Sequence, residues 1–494
     1  MSLSTRVADL LEPMVSQLAL WASLVVYGGA RASVVHYPPA QSNTNNLTFV
    51  LDGKGAPGIY TSSHTPDEDY GEYNWCNMPH VRTREYRTPP PEFTLEYVEV
   101  IQRHHKRTPY ASNTFFREDT TWSCTDEGPV VYGKGPSGVS ADWQAFRNSQ
   151  NPFTNTVGPG FVDTTCQFPQ ITTEGLEDSH THGSDLRAVY AKRLGLAPHY
   201  DPSIAQIRVT NNVITSQVAG ALVKGLFPDS ASVPVLIQSS SYDSLEPTYA
   251  CPKADALRSG YTTGNANWTN HLAAAAGLYA KLDSVSGTSN PDTGGWHASF
   301  DHYYDNFSAK LCHGKKLPCS VNDTSLCVTR DEANTVFRLG NWEYSYNFRD
   351  APDSAQYAAL KYGGWFLELK GHLQAVIGGE TQIKYFHNVA HDGSVSSVLG
   401  VLQIANMVWP GMGSELVFEL YKNQKKKWFI RVLWGGQPMV TSTPMGTLDM
   451  VPVHKFFACT YRSPLTASTY LIRRSADIDS MVGTGADLVA ACHS

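Results

Sequence analysis

The chain has 494 residues, 41% hydrophobic and 17% charged, which is the composition of an ordinary globular protein with enough chain for a large core. Its formal net charge of -7 argues against general nucleic-acid binding. The sequence contains no internal repeats, no zinc-spaced cysteine pairs and no phosphate-binding glycine loop of the P-loop type. Length alone would allow two or three domains, although α/β enzymes with insertions also reach this size as one unit.

The N-terminal segment, residues 1–32, contains an apolar run over residues 18–30. This run has the length of a signal-peptide core and is too short to span a bilayer. The usual positive charge upstream of it is missing, so a membrane-tethering or buried N-terminal helix is the alternative. We expect a single domain over residues 33–494 and no stable membrane span.

Four N-glycosylation sequons and nine cysteines indicate the secretory pathway. Cys312, Cys319 and Cys327 lie in a loop-like stretch where a loop-closing disulfide is expected, and the odd total leaves at least one cysteine unpaired. We therefore predict a protein that is secreted or delivered to the vacuole or the cell surface, with N-linked glycans. The sequons begin at Asn46, Asn267, Asn306 and Asn322.

A predicted strand that ends in a cationic loop is the most informative stretch. Residues 95–102 are rich in β-branched and aromatic side chains, as strands are, and Pro109 disfavours a continued strand. Residues 103–107 carry three fixed positive charges and two histidines, which repel one another unless an anion lies among them. Because ligands of open α/β sheets usually bind where strands end, we predict a phosphate pocket here.

The next segment, residues 170–190, has a helical pattern and contains four potential metal ligands. His180 and His182 lie beside Asp178 and Asp185. Positions two apart on a helix point about 200° away from each other, so the two histidines could not easily share one ion. We therefore favour a structural helix over a metal site.

Two further predicted strands end in ionisable residues, and each is followed by a helical pattern. The apolar residues 204–208 end at Arg208, and the strand over residues 383–390 is followed directly by His391 and Asp392. By itself Arg208 is also compatible with a surface ion pair. A His-Asp dipeptide is likewise frequent by chance, and it becomes informative only through its position at the end of a strand.

Two stretches are interpreted as insertions, residues 110–165 as ordered loops near the pocket and residues 246–350 as a mainly helical cap. A long helix is expected over residues 354–377 and an edge hairpin over residues 414–434. The remaining core comprises two stretches, about residues 93–245 and 354–494.

These motifs together resemble those of the histidine acid phosphatases, the branch of the histidine phosphatase superfamily that includes acid phosphatases and phytases. The loop over residues 103–109 resembles the family's Arg-His-Gly-x-Arg-x-Pro signature, with His105 in place of the glycine. Arg208 lies in a segment similar to the family's Ile-Arg-x-Thr strand end, and His391 with Asp392 resembles its C-terminal His-Asp pair.

The resemblance implies an α/β fold with a mostly parallel central sheet, flanking helices of the phosphoglycerate mutase type and an inserted, mainly helical cap. It also implies that His104 is a nucleophile that forms a phosphohistidine and that Asp392 is the proton donor. The phosphate-binding residues would be Arg103, Arg107, Arg208 and His391. No cofactor or metal is expected, because three arginines would supply the charge stabilisation.

Two differences from the family leave alternatives open. Ile214 stands where the family often carries another arginine, and His105 could narrow the pocket, point away from it or add a phosphate contact. The leading hypothesis is an acid phosphatase that hydrolyses small phosphomonoesters. Alternatives are a phytase, a narrow-substrate phosphatase, or a catalytically weak phosphatase-like glycoprotein that binds anions.

Overall fold

The structure of the protein is a computed structural model, which describes ten separate ranges of the chain. The chain divides into Met1–Ala32 and Ser33–Ser494, and every described residue belongs to the second unit. The predicted signal segment therefore lies outside the described residues. None of the described helices is long and apolar enough to cross a membrane. The described ranges are residues 34–56, 74–115, 120–125, 130–132, 139–141, 145–146, 148–153, 164–288, 291–458 and 485–494.

Eight of the described strands form one mixed sheet. They are β1 (Phe93–Arg103), β4 (Ala205–Val209), β5 (Val235–Ile237), β6 (Tyr385–Ala390), β7 (Glu415–Asn423), β8 (Trp428–Trp434), β9 (Gln437–Pro438) and β10 (Val451–Pro452). The sheet order is β10-β8-β7-β1-β6-β4-β5, with β9 paired to β8. A separate pair consists of β2 (Val130–Tyr132) and β3 (Val139–Ala141).

The sequence-based prediction of an α/β fold is confirmed, but the sheet is not mostly parallel. β1, β6, β4 and β5 pair in parallel, whereas β7 to β10 are added by antiparallel pairing. The predicted hairpin is β7 and β8. Its short connection can join only antiparallel strands, which is why this side of the sheet departs from the expected direction.

Twelve helices are found in the remaining described chain. They are α1 (Leu47–Asp52), α2 (Thr173–Leu194), α3 (Val213–Leu226), α4 (Pro252–Tyr261), α5 (Ala266–Ala274), α6 (Ala276–Ser286), α7 (Asp301–Cys312), α8 (Arg330–Ser345), α9 (Ser354–Gly378), α10 (Asp392–Val401), α11 (Val453–Ala458) and α12 (Gly485–Cys492). The predicted helices over residues 170–190 and 354–377 correspond to α2 and α9. A π-helical turn, Tyr346–Asp350, follows α8.

Alternate residues of β1 enter two different apolar clusters, because successive side chains of a strand point to opposite faces. Tyr97 and Ile101 pack with residues of α9 and α10, whereas Val98 and Val100 pack with residues of α2 and α3. A third cluster joins the helices of the predicted cap, α4 to α8. The sheet therefore has helices on both faces, and the cap has an apolar core largely of its own.

Four disulfides connect the described chain, which fits a protein that folds in an oxidising compartment. The predicted loop-closing bond is Cys319–Cys327. Cys312 instead pairs with Cys76, 236 residues away. The other two bonds are Cys124–Cys166 and Cys251–Cys492, and the ninth cysteine, Cys459, lies outside the described residues.

The four sequons differ in their accessibility. Asn46, Asn267 and Asn322 are exposed, as a glycan attachment site must be. Asn306 lies inside α7 with 0% exposure, and its side-chain amide donates a hydrogen bond to the Asn113 carbonyl. The prediction of a glycan at Asn306 is therefore corrected, because the folded protein has no space for one there.

Glycines allow α2 and α3 to pack closely against each other. A Cβ atom at Gly183 would lie 2.1 Å from the Leu222 carbonyl oxygen, and one at Gly225 would lie 2.1 Å from the His180 carbonyl oxygen. Real Cβ atoms do not approach backbone this closely, so the two helix axes are near each other only because both positions lack a side chain.

We predict that Gly225→Ala lowers the free energy of unfolding by about 1–3 kcal/mol, because the added methyl group forces α2 and α3 apart. Gly220→Ala is the matched control in the same helix, because its Cβ atom would meet nothing within 4 Å. The control should be neutral or stabilising by up to about 1 kcal/mol through helix propensity. Urea unfolding measures both changes, and equal stabilities for the two variants would contradict the close packing.

Candidate active site

A cavity of about 510 Å³ lies where β1 and β6 end. The two strands pair in parallel with Arg103 opposite Ala390, so the loop after β1 and the start of α10 after β6 lie side by side. Five of the six residues predicted for phosphate chemistry line this cavity. They are Arg103, His104, Arg107, His391 and Asp392.

The imidazole of His104 has one defined tautomer. Its Nδ1–H donates to the His105 carbonyl oxygen at 2.8 Å, so Nε2 carries the lone pair and accepts a bond of 3.3 Å from Arg107 Nε. Burial lowers the pKa of His104 well below its usual value, and the charges of Arg107, Arg103 and His391 lower it further. The ring is therefore neutral, and Nε2 is available as a nucleophile.

Both cavity arginines are held by carboxylates. Arg103 forms an ion pair of 2.9 Å with Asp392 and donates to the Pro410 carbonyl, while Arg107 forms an ion pair of 3.0 Å with Asp305. The buried Nε of Arg103 has no hydrogen-bond partner within the described part of the chain. The guanidinium groups are thus fixed in place and retain a donor for a bound oxyanion.

Asp392 begins α10 and is ionised in the free cavity. Burial raises the pKa of its carboxyl, but the charge of Arg103, a hydrogen bond from Trp409, and the charges of Arg107 and His391 outweigh that effect and lower it overall. The Trp409 indole N–H donates to Asp392 Oδ2 at 2.8 Å. An anion that neutralised the two arginines would remove much of this lowering.

Aromatic side chains form the wall around Asp392. The Trp409 ring lies between those of Tyr304 and Tyr344, with centroid distances of 3.8 and 4.0 Å. This stack fixes the indole that donates to Asp392. The Arg107 guanidinium lies 4.4 Å from the centre of the Tyr110 ring, which adds a cation–π contact.

His391 lies across the cavity from His104, with 5.8 Å between the ring centres. Its Nε2 is 3.0 Å from the Thr210 hydroxyl and 3.4 Å from a carboxylate oxygen of Glu246. Thr210 directly follows β4, so the ends of three neighbouring parallel strands contribute to the site.

Arg208 lies outside the cavity lining, contrary to the prediction that it binds phosphate. Its guanidinium forms ion pairs with Glu368 at 2.6 Å and Asp243 at 3.0 Å, and it also donates to Gln238 and Ser244. Ile214, where the family often carries another arginine, is fully buried in the apolar core. Two arginines, instead of the predicted three, line the cavity.

His105 does not line the cavity either, so of the three alternatives left open by the sequence the structure agrees with a side chain that points away from the pocket. Its backbone φ is not positive, and its buried ring faces away from the cavity, 3.0 Å from His182 Nδ1. The ring packs against Gly413, where a Cβ atom would lie 2.5 Å from it. A glycine on the facing segment thus makes room for the imidazole.

Sequence reasoning missed three residues that contact the site, namely Asp305, Trp409 and Glu246. Asp305 belongs to the cap helix α7, and the other two lie in loops. None is part of a short motif. The one available signal was the concentration of aromatic residues in the cap.

Curated relatives match much of this chain. The human 2-phosphoxylose phosphatase 1 is 21% identical over 96% of this chain and 96% of its own length. Lysophosphatidic acid phosphatase type 6 from Bos taurus is 23% identical over 58% of this chain and 64% of its own. These relatives are phosphatases, and they support the resemblance of the chain to the histidine acid phosphatases.

The chain is also similar to another curated protein and to solved structures. Counting factor 60 of Dictyostelium discoideum is 24% identical over 74% of this chain and 86% of its own. Among solved structures, Hafnia alvei phytase has a TM-score of 0.46 at 15% identity, covering 82% of this chain and 99% of its own. No protein-family model matches the chain.

We predict that inorganic phosphate stabilises the protein through Arg107 and not through Arg208. At a phosphate concentration 100 times the dissociation constant, binding should add about 2.7 kcal/mol to the free energy of unfolding. Arg107→Gln should abolish this gain, which thermal unfolding with and without phosphate measures.

Arg208→Gln is the matched comparison. It should lower the stability by about 3–5 kcal/mol, because it leaves Asp243 buried without its cation, yet it should keep the gain from phosphate. If phosphate no longer stabilised a folded Arg208→Gln protein, Arg208 would belong to the phosphate site after all.

Proposed function

We propose that this protein hydrolyses phosphomonoesters through a covalent phosphohistidine at His104. The observation that carries the proposal is the orientation of the His104 imidazole, whose unprotonated Nε2 lies beside Arg107 in the cavity while its Nδ1–H donates to a carbonyl oxygen. A nucleophile of fixed tautomer next to a cation that attracts the phosphoryl group is what covalent phosphoryl transfer requires.

In the first step His104 Nε2 attacks phosphorus, and the bond between phosphorus and the ester oxygen breaks. Arg103 and Arg107 bind the equatorial oxygens, and His391 adds a hydrogen bond to them. The leaving alcohol takes a proton from Asp392. The phosphoryl group is then bound to nitrogen, and the alcohol departs neutral.

In the second step water attacks the phosphorus and the bond to His104 breaks. Asp392, now ionised, accepts a proton from the water, so the first step's acid becomes the second step's base. The products are inorganic phosphate and the starting form of the site. No group besides those of the chain and water takes part in this scheme.

The state of Asp392 favours acidic conditions for this reaction. In the free site its pKa is lowered, chiefly because Arg103 and Trp409 offset the effect of burial. The first step needs the protonated carboxyl. A bound phosphate dianion would compensate both arginines and raise the pKa of Asp392, so the substrate itself prepares the acid.

The charge of the cavity favours small monoesters over inositol hexakisphosphate. Besides Asp392 and Asp305, three more carboxylates line the cavity, namely Glu246, Asp255 and Asp301. The lining has one cation in addition to its two arginines, Lys361, whose Nζ lies 3.2 Å from Asp255 Oδ1. With one phosphate bound at His104, five further phosphates would face these carboxylates. A phosphomonoester whose leaving group carries no charge avoids this repulsion.

We also propose that the protein is a glycoprotein that is secreted or resident in the vacuole or at the cell surface. Its four disulfides and three exposed sequons support this location.

We predict that His104→Ala abolishes turnover of p-nitrophenyl phosphate between pH 3 and 8, while Asp392→Asn allows the phosphoenzyme to accumulate. Loss of the nucleophile should lower kcat by about 10³-fold or more, and loss of the acid–base group by about 10²- to 10⁴-fold. Phosphate release and trapped phosphoprotein provide the two measurements.

His105→Ala removes no reacting group and should still form detectable phosphoenzyme. Full activity of a folded His104→Ala protein would reject the mechanism. If the wild-type protein bound phosphate without turning over any ester, the second candidate, a catalytically weak anion-binding phosphatase, would be correct. The ion pairs that already occupy both cavity arginines are the observation in its favour.

We predict that kcat/KM for p-nitrophenyl phosphate exceeds that for inositol hexakisphosphate by at least about tenfold, because like charges in apposition are strongly unfavourable. Asp255→Asn should narrow this ratio several-fold, since it removes one carboxylate and releases Lys361. Asp229→Asn, an exposed carboxylate away from the cavity, is the control. A ratio below one for the wild-type protein would identify a phytase instead.

A further inference from the structure

A chain of buried ionisable side chains lies behind the loop that carries His104, on the side away from the cavity. It consists of His105, His182 of α2 and Glu415 at the start of β7, which we call the buried relay. His105 Nε2 is 3.0 Å from His182 Nδ1, and His182 Nε2 is 2.9 Å from Glu415 Oε2. All three side chains are nearly or completely inaccessible to solvent.

The protons of the relay can be placed from its contacts. The Val81 N–H donates to Glu415 Oε1, which leaves Oε2 to face His182. With Glu415 ionised, His105 donates to His182, and His182 donates to Glu415. With Glu415 protonated on Oε2, both imidazoles change tautomer and the two hydrogen bonds reverse direction. The chain is complete in either state.

Burial makes both states accessible. It raises the pKa of Glu415 to about 7 and lowers the pKa of His182 and of His105 well below their usual value. Both imidazoles are therefore neutral. His80 stacks on His182 at 4.0 Å between ring centres and lies 2.8 Å from Asp185. The relay stays bonded across the acidic range in which the proposed reaction runs.

The same end of β7 also holds the loop by its backbone. The Gly413 N–H donates to the His104 carbonyl oxygen at 3.0 Å, and the Arg103 N–H donates to the Ser414 carbonyl oxygen at 2.8 Å. Gly413 has φ of +71°, and its missing side chain leaves space for the His105 ring. The backbone of Gly413 and Ser414 thus holds Arg103 and His104, and the Glu415 side chain contacts His105 through His182.

The carbonyl of His105 is the group that accepts the Nδ1–H of His104. If the His105 side chain moved, its carbonyl would turn away from His104. The hydrogen bond that keeps the proton of His104 on Nδ1, and leaves its Nε2 unprotonated, would then be lost. We propose that the buried relay is a positioning device, in which Glu415, through His182, holds His105 and thereby the reactive orientation of His104. This inference rests on the proposed role of His104 as nucleophile.

A purely structural role for these residues would affect stability without a specific effect on the chemical step. The chain offers a matched comparison, because Tyr190 of α2 donates to Glu419 of β7 at 2.7 Å. This bond joins the same helix and the same strand, is equally buried, and has no connection to the loop of His104.

The test measures the rate at which a radiolabelled phosphomonoester labels the protein in rapid-quench experiments, together with kcat and KM. His182→Leu keeps the bulk and breaks both hydrogen bonds. It should slow labelling and lower kcat by about 10- to 100-fold with KM little changed, as expected for a displaced reacting group. Glu415→Gln can donate to His182 and should stay within about threefold of wild type.

Tyr190→Phe should leave the labelling rate unchanged even if it lowers the unfolding temperature. Should His182→Leu fail to fold, His105→Ala interrupts the same chain from the loop and carries the same expectation. Wild-type labelling rates in these variants, or an equal loss in Tyr190→Phe, would overturn the relay. Absence of any label on the wild-type protein would overturn the proposed function itself, which is a distinct result.

Discussion

The parallel pairing of β1 with β6 is the contact on which the candidate site depends. It places the loop of His104 next to the first turn of α10, so that Arg103 can form its ion pair with Asp392. A shift of this pairing by one residue would point the strand side chains to the opposite faces and separate the two apolar clusters. The clusters therefore fix the register, and the register fixes the distance between the proposed nucleophile and acid.

Charges in the cavity are balanced before any ligand binds. Arg103 is paired with Asp392 and Arg107 with Asp305, so neither cation is left uncompensated in a buried position. A phosphate must compete with these carboxylates for the guanidinium groups. Since that competition would free Asp392 from its cation, binding of an anion and protonation of Asp392 are linked through one pair of contacts.

The sequence placed His104, His391 and Asp392 correctly at the ends of strands that border the cavity, because in each case one short segment holds both the strand and the ionisable residues. The sequence did not show where the Arg208 side chain lies, because a strand end does not reveal which face of the sheet receives a side chain. Ion pairs with Asp243 and Glu368 hold its guanidinium outside the cavity lining. His105 could not be placed, since its partners are 77 and more residues away. Asp305 and Trp409 have no local pattern, and only the folded cap brings them to the cavity.

The Cys76–Cys312 disulfide makes the attachment of the cap dependent on the oxidation state of the protein. Cys312 ends α7, the helix whose Asp305 holds Arg107, and Cys76 lies in the segment that precedes β1. A newly made chain in a reducing environment lacks this tether, so the cap is less firmly seated over an otherwise formed sheet. Full assembly of the anion site would then depend on oxidation of this cysteine pair, because Arg107 is held from the cap.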